Sequence, residues 1–322
     1  MHDIRPDKIV IGADIGGTNI SVAAISPKGD VLAKGDGPTL PRRGPEDGAR
    51  RIVEMIREAQ RMAGDREFVG VGIGCTGPVD RVTGHVHNPY TLPTWEGFPL
   101  ADRLHEVLDV PVVIENDAHA GALGEHWCGA GRGTQHMVYV TVGTGVGGGI
   151  ILNGALYTGA TGTAGEIGHH SVDMNGPECY CGARGCVEIY AAAPALTQQA
   201  RERVQSEESM LLSLVDGDAG ALNPEVIAKA ARQGDRLAGD IMKQAAGALG
   251  VGLGNLAIIL APEVIVLGGG VMCSFDLFKP TIEETLNHLT FPLGNLRITR
   301  AELGMNAGVI GAARALLDRC FS

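Results

Sequence analysis

His169, Cys179, Cys181 and Cys186 carry the strongest chemical signal in the chain, spaced His-x9-Cys-x-Cys-x4-Cys. Three thiolates and an imidazole complete a closed tetrahedral Zn²⁺ site, a type that holds structure rather than performing catalysis. Gly182 and Gly185 let the backbone fold tightly between the ligands. Buried cysteines without a ligand are the competing reading, and the polar loop Cys179-Tyr180-Cys181-Gly182-Ala183-Arg184-Gly185-Cys186 argues against it. Cys75, Cys128, Cys273 and Cys320 are scattered and read as ordinary core or surface residues.

Two glycine turns form the second signal. Asp14-Ile15-Gly16-Gly17-Thr18-Asn19 and Gly143-Thr144-Gly145-Val146-Gly147-Gly148-Gly149 each lie between apolar, β-branched runs. Residues 143–148 satisfy G-x-G-x-x-G, with Glu166 near the distance of a ribose-binding acid. That fingerprint needs a helix after the turn, whereas Ile150-Ile151-Leu152 and the hairpin signal Asn153-Gly154 continue as strand, so a Rossmann site is rejected. In a strand–turn–strand, successive backbone N–H groups can point at one anion. Asp14 adds a carboxylate able to hold Mg²⁺, and Thr18 and Thr144 add hydroxyls. Two such turns facing each other would clamp a polyphosphate. Either alone could be an ordinary tight turn; the pair, together with Gly268-Gly269-Gly270 after a third strand, favours phosphate. No P-loop motif is present. Asp117, beside Asn116 at a strand end, is placed either to take a proton from an attacking hydroxyl or merely to cap the next helix.

The elements that must position these groups follow from the hydrophobic pattern. Strands are expected over 8–14, 20–25, 31–34, 68–74, 111–115, 137–142, 150–152, 155–157, 264–267 and 296–300. Helices are expected over 46–62, 99–108, 118–127, most of 190–260, and 307–319. With 322 residues, two domains sharing a cleft are expected. Glycine fills 48 positions without a collagen period, and only 13 residues are Phe, Trp or Tyr, so the glycines belong to folded structure. Gly247, Gly250, Gly252 and Gly254 are read as close packing near a nucleotide. A net charge of −11 with no Lys/Arg cluster speaks against nucleic acid. The N-terminal MHDIRPDKIV lacks a signal-peptide pattern, and no apolar run of about 18 residues is expected, which predicts a cytoplasmic chain with no membrane partner.

The Asp14–Thr18 turn, the Glu115-Asn116-Asp117 strand end, the turn at 143–149 and the cysteine segment together resemble the ROK family of sugar kinases and repressors over almost the whole chain. The resemblance implies the duplicated actin/hexokinase-like (ribonuclease H-like) α/β fold. It implies one domain of 1–117 plus 303–322 and a second of 118–302. ATP phosphates would lie between the turns (Asp14, Gly16, Gly17, Thr18, Asn19; Thr144, Gly145, Gly147, Gly148), with Gly269 and Gly270 near the adenosine. Asp117 would be the catalytic base, Asn116, Glu166, His169 and Glu188 the sugar ligands, and Gly77 and Asn88 part of the segment over the sugar. His169 would serve zinc with one ring nitrogen and sugar with the other. Residues 88–93 depart from the common wording, which bears on sugar identity.

The resulting expectation is an ATP-dependent hexose kinase acting on the 6-hydroxyl, glucose first, with Mg²⁺ and structural Zn²⁺, as a homodimer or homotetramer. Kinases of N-acetylmannosamine, fructose, mannose or N-acetylglucosamine are the alternatives. The sugar-sensing repressors of the family are less expected, because Asp14 follows the start by only 13 residues and the charge is acidic.

Overall fold

The structure is a computed structural model that describes Arg5 and residues 7–321. Its elements in chain order are β1 (Lys8–Ile15), β2 (Asn19–Ile25), β3 (Val31–Pro38), α1 (Pro45–Met62), β4 (Glu67–Cys75), β5 (Val79–Asp80), β6 (His85–Val86), α2 (Leu100–Leu108), β7 (Val112–Asn116), α3 (Asp117–Cys128) and β8 (Met137–Val142). There follow β9 (Val146–Leu152), β10 (Ala155–Tyr157), α4 (Glu188–Ala191), α5 (Ala193–Arg203), α6 (Pro224–Arg232), α7 (Arg236–Leu260), β11 (Val264–Gly268), α8 (Phe275–Asn287), β12 (Arg297–Arg300) and α9 (Ala307–Cys320).

Two five-stranded sheets repeat one plan, β3-β2-β1-β4-β7 and β10-β9-β8-β11-β12. In the first, a meander of β1, β2 and β3 pairs antiparallel, and β4 and β7 then add in parallel to β1. In the second, β11 lies parallel to both β8 and β12. This internal repetition is the duplicated α/β architecture that the resemblance implies.

The chain divides into two compact units, Met1–Gln135 with Gly149–Ala164 and Ala301–Ser322, and His136–Gly148 with Gly165–Arg300. Helix α3, expected to open the second domain, belongs to the first unit because it packs against α9. In β1, Ile9, Ile11, Ala13 and Ile15 join the core that α1 closes with Ile52, Val53 and Ile56. The alternate residues face α9, as the period of two in a strand demands. Gly12 and Gly72 lie so close to the carbonyls of Val309 and Ala312 that any Cβ would collide with them, and their lack of a side chain seats α9 directly on β1 and β4.

The second unit buries Val138, Val140, Ile265 and Leu267 of its sheet with Leu196, Ile227, Ile241, Leu249 and Phe278 of its helices. Helix α7 corrects one expectation. Residues 244–262 carry no charge, and among the described residues α7 is the one helix long and apolar enough to cross a membrane. One face of it, Leu237, Ile241, Leu249 and Leu253, lies in this core. Two of its glycines allow close approach, Gly250 against Thr285 of α8 and Gly252 against Val187 and His170, whereas Gly247 has nothing within 4 Å.

Candidate active site and metal cluster

Parallel register delivers the first group of polar residues. Asp14 of β1 pairs with Gly74 of β4, which pairs with Glu115 of β7; one step on, Ile15, Cys75 and Asn116 align. The strands therefore end together, and Asp14 and Asp117 reach the same sheet edge. Burial pushes the Asp14 carboxyl up to about 7, the charge of Asp117 adds to the rise, and Lys34 opposes it. The two carboxylates thus feel each other's charge, an oxygen-donor arrangement suited to a hard divalent cation.

The adjacent turn is held from behind. Gly16 N–H closes onto Asn19 O (2.9 Å), and the buried Thr39 grips both neighbouring carbonyls, its hydroxyl on Gly16 O (2.6 Å) and its N–H on Thr18 O (2.7 Å). Gly17 and Thr18 keep N–H groups that take no acceptor among the described residues. In the second unit, Gly143 N–H closes onto Gly145 O (2.8 Å), and Val146 N–H donates to Glu188 Oε2 (2.7 Å). The N–H groups of Thr144 and Gly145 likewise take no acceptor among the described residues. A Cβ on Gly145 would stand 2.6 Å from Glu188 Oε2, so a larger residue there would displace this carboxylate. Gly147 and Gly148 already lie in β9, which starts before Ile150 and within the glycine run. Gly268 pairs with Thr141, so Gly269 and Gly270 leave β11 at the end of the sheet where β8 enters its turn.

Asn116 is the N-cap of α3, its Oδ1 accepting from Ala118 N (2.9 Å) and His119 N (3.2 Å). Asp117 Oδ1 also accepts from Ala118 N (2.8 Å). Capping and chemistry are compatible, since the cap fixes where both side chains sit. The Asn116 amide lies against Gly77, 2.7 Å from where a Cβ would be. Asn88 is buried, and its loop consumes its hydrogen bonds: Nδ2 donates to Thr76 O (3.0 Å) and Thr91 Oγ1 (2.8 Å), and Oδ1 accepts from Tyr90 N (3.1 Å) and Thr91 N (2.9 Å).

One network has no signature in the sequence. Glu115 is buried and holds His119 Nδ1 with one oxygen (3.0 Å) and Arg81 with the other (2.8 Å), while His119 Nε2 donates to Ala164 O (2.6 Å). Burial opposes charge on both Glu115 and His119, yet their mutual bond outweighs it, lowering the Glu115 pKa and raising that of His119. His119, in the first turn of α3, thereby ties the helix carrying Asp117 to β7 and to the segment ending at Ala164.

In the second unit the metal-ligand atoms of His169, Cys179, Cys181 and Cys186 all lie within 4.8 Å of one another. Cys181 and Cys186 sulfurs are 3.7 Å apart, and Cys179 Sγ is 3.6 Å from His169 Nδ1. Tetrahedral Zn²⁺ with ordinary bond lengths demands S···S of about 3.8 Å and S···N of about 3.6 Å, so the donor set fits. Burial and the neighbouring thiols push Cys186 up to about 12, a thiol that a bound cation would deprotonate. His169 Nε2 faces Tyr180 Oη (3.0 Å), which also bonds Glu188; desolvation of the hydroxyl end of an otherwise exposed side chain and the Glu188 and Glu166 carboxylates raise the Tyr180 hydroxyl. Glu166, His169 and Glu188 therefore gather around one tyrosine whose place between two cysteines gives no sign of it in the sequence.

The model of the ROK family matches residues 10–319. The chain belongs to the ROK family. It is 38% identical to a glucokinase of Thermotoga maritima over 98% of this chain and 99% of that one. A solved ROK family glucokinase of Streptomyces griseus, in complex with glucose and AMPPNP, is 35% identical with a TM-score of 0.81, covering 95% of this chain and 98% of that one. A xylose repressor of Caldicellulosiruptor bescii is 30% identical over 97% of this chain and 79% of its own.

Proposed function

We propose that this ROK chain is an ATP-dependent glucose kinase that phosphorylates the 6-hydroxyl of the sugar. The observation that carries the reading is the alignment of Asp14 and Asp117 at one sheet edge, beside a turn whose Gly17 and Thr18 N–H groups take no acceptor among the described residues. The family relationship to glucokinases, one of them solved with glucose and an ATP analogue, supports both substrates.

Phosphoryl transfer needs positioning, charge neutralisation and a proton acceptor. Asp117 takes the proton of the 6-hydroxyl as its oxygen attacks the γ-phosphorus; the bond to the bridging oxygen breaks and ADP departs. Asn116, Glu166, His169 and Glu188 hold the sugar hydroxyls. Asn88 acts indirectly, by fixing residues 88–91 beside Gly77. Gly16, Gly17, Thr18 and Asn19 bind phosphate oxygens, as do Thr144, Gly145, Gly147 and Gly148, with Gly269 and Gly270 toward the adenosine. Asp14 would hold Mg²⁺, which when bound neutralises phosphate charge. His169, Cys179, Cys181 and Cys186 would hold Zn²⁺, which fixes the imidazole against the sugar; metal analysis of the purified protein should find one zinc per chain.

Coupled ATP-consumption assays over glucose, mannose, fructose, N-acetylmannosamine and N-acetylglucosamine test the substrate. Glucose should give the highest kcat/KM. A higher value for another hexose overturns glucose while keeping the kinase, and no turnover with any of them leaves the sugar-sensing reading that the repressor relative represents.

A further inference from the structure

We propose that the Tyr180 hydroxyl stands in for a sugar hydroxyl between Glu188 and His169, gives way when the sugar binds, and so sets sugar affinity. The proposal rests on the reading of Glu188 and His169 as sugar ligands. With Nδ1 of His169 turned toward Cys179, the ring has one nitrogen left, and Nε2 is 3.0 Å from Tyr180 Oη. Nε2–H donates to the phenol oxygen, and the phenol O–H donates to the Glu188 carboxylate. A sugar hydroxyl between the same two residues would accept from the same N–H and donate to the same carboxylate. A neutral imidazole has one N–H and can serve one of them at a time.

The tyrosine side chain is 70% exposed, and its ring meets His169 edge-on at 5.1 Å between centroids. Backbone hydrogen bonds from Cys179 N to Ala183 O (2.8 Å) and from Gly182 N to Cys179 O (2.9 Å) hold the loop, so rotation of the side chain alone releases the hydroxyl. Sugar binding then exchanges one hydroxyl for another, and breaking the two phenol hydrogen bonds subtracts from the affinity that the sugar gains.

Glucose titration by calorimetry and steady-state kinetics on wild type and Tyr180→Phe tests this, because Phe keeps the ring contact and removes only the hydroxyl. The variant should bind glucose roughly three- to tenfold more tightly, the net range of one ordinary hydrogen bond, with KM falling in parallel. Its kcat should stay within about twofold and its zinc content should be unchanged, outcomes that a purely structural tyrosine would not combine. Unchanged or weaker glucose binding by the variant, or loss of its zinc, overturns the exchange while the sugar site stands. A wild-type protein that binds no hexose overturns the assignment of Glu188 and His169, and the exchange with it.

Discussion

In the first glycine turn the Gly16 N–H reaches across to Asn19 O and Thr39 grips the carbonyls from behind; in the second, Gly143 N–H closes onto Gly145 O and a carboxylate, Glu188, takes the next N–H. Both arrangements leave two successive N–H groups without an acceptor among the described residues, and they differ in what anchors them. The first anchor is a neutral residue from β-meander scaffolding. The second is a group read as a sugar ligand, which also bonds Tyr180. A phosphate turn and a sugar subsite that share one carboxylate should respond together, whereas the first turn should respond alone.

The largest expected effect lies beside the first turn. Asp117→Asn should lower kcat by roughly 10²- to 10⁴-fold, the range of a positioned general base, with KM for glucose and ATP within a few-fold of wild type. Glu188→Ala, which strips the anchor of the second turn, should raise the glucose KM by roughly tenfold or more and the ATP KM several-fold in the same protein. A change confined to glucose would separate the two sites and break the comparison.

Asp14→Asn tests the electrostatics of the first edge through stability. The folded-state pKa of about 7 lies above the ordinary 3.8, so the folded protein binds more protons than the unfolded chain between those values. The stability tied to Asp14 is therefore present at low pH and falls as pH rises through 7. The Asn variant should match wild type near pH 4 and exceed it near pH 8 by on the order of 4 kcal/mol, read from thermal or urea unfolding. The smallest change is Thr39→Val: loss of one hydroxyl bond behind the first turn should raise the ATP KM by about three- to fivefold and leave the glucose KM alone.

Much of this is legible in the residues. The β-branched runs give the meander of β1, β2 and β3, and Asn116 before an Ala-rich stretch marks the start of α3, as the cap confirms. The cysteine spacing gathers its four ligands as expected. What stays hidden has physical reasons. Strand β9 begins at Val146 inside a run of glycines, whose low strand propensity hides it. The reach of the first unit past residue 117 depends on α3 packing against a helix almost two hundred residues away in the chain, which no local pattern encodes. Arg81, Glu115, His119 and Ala164 meet only in three dimensions, and a lone histidine on a helix gives no sign of it. The resemblance sets Asn88 over the sugar, but its side chain is spent on its own loop.

The transfer itself is the most direct test. Purified protein incubated with ATP, Mg²⁺ and glucose should show, by ³¹P NMR, glucose 6-phosphate growing in step with ADP, and Asp117→Asn should abolish that growth on the same timescale. ADP formed without any sugar phosphate, or undiminished product from the Asp117→Asn variant, would contradict the account.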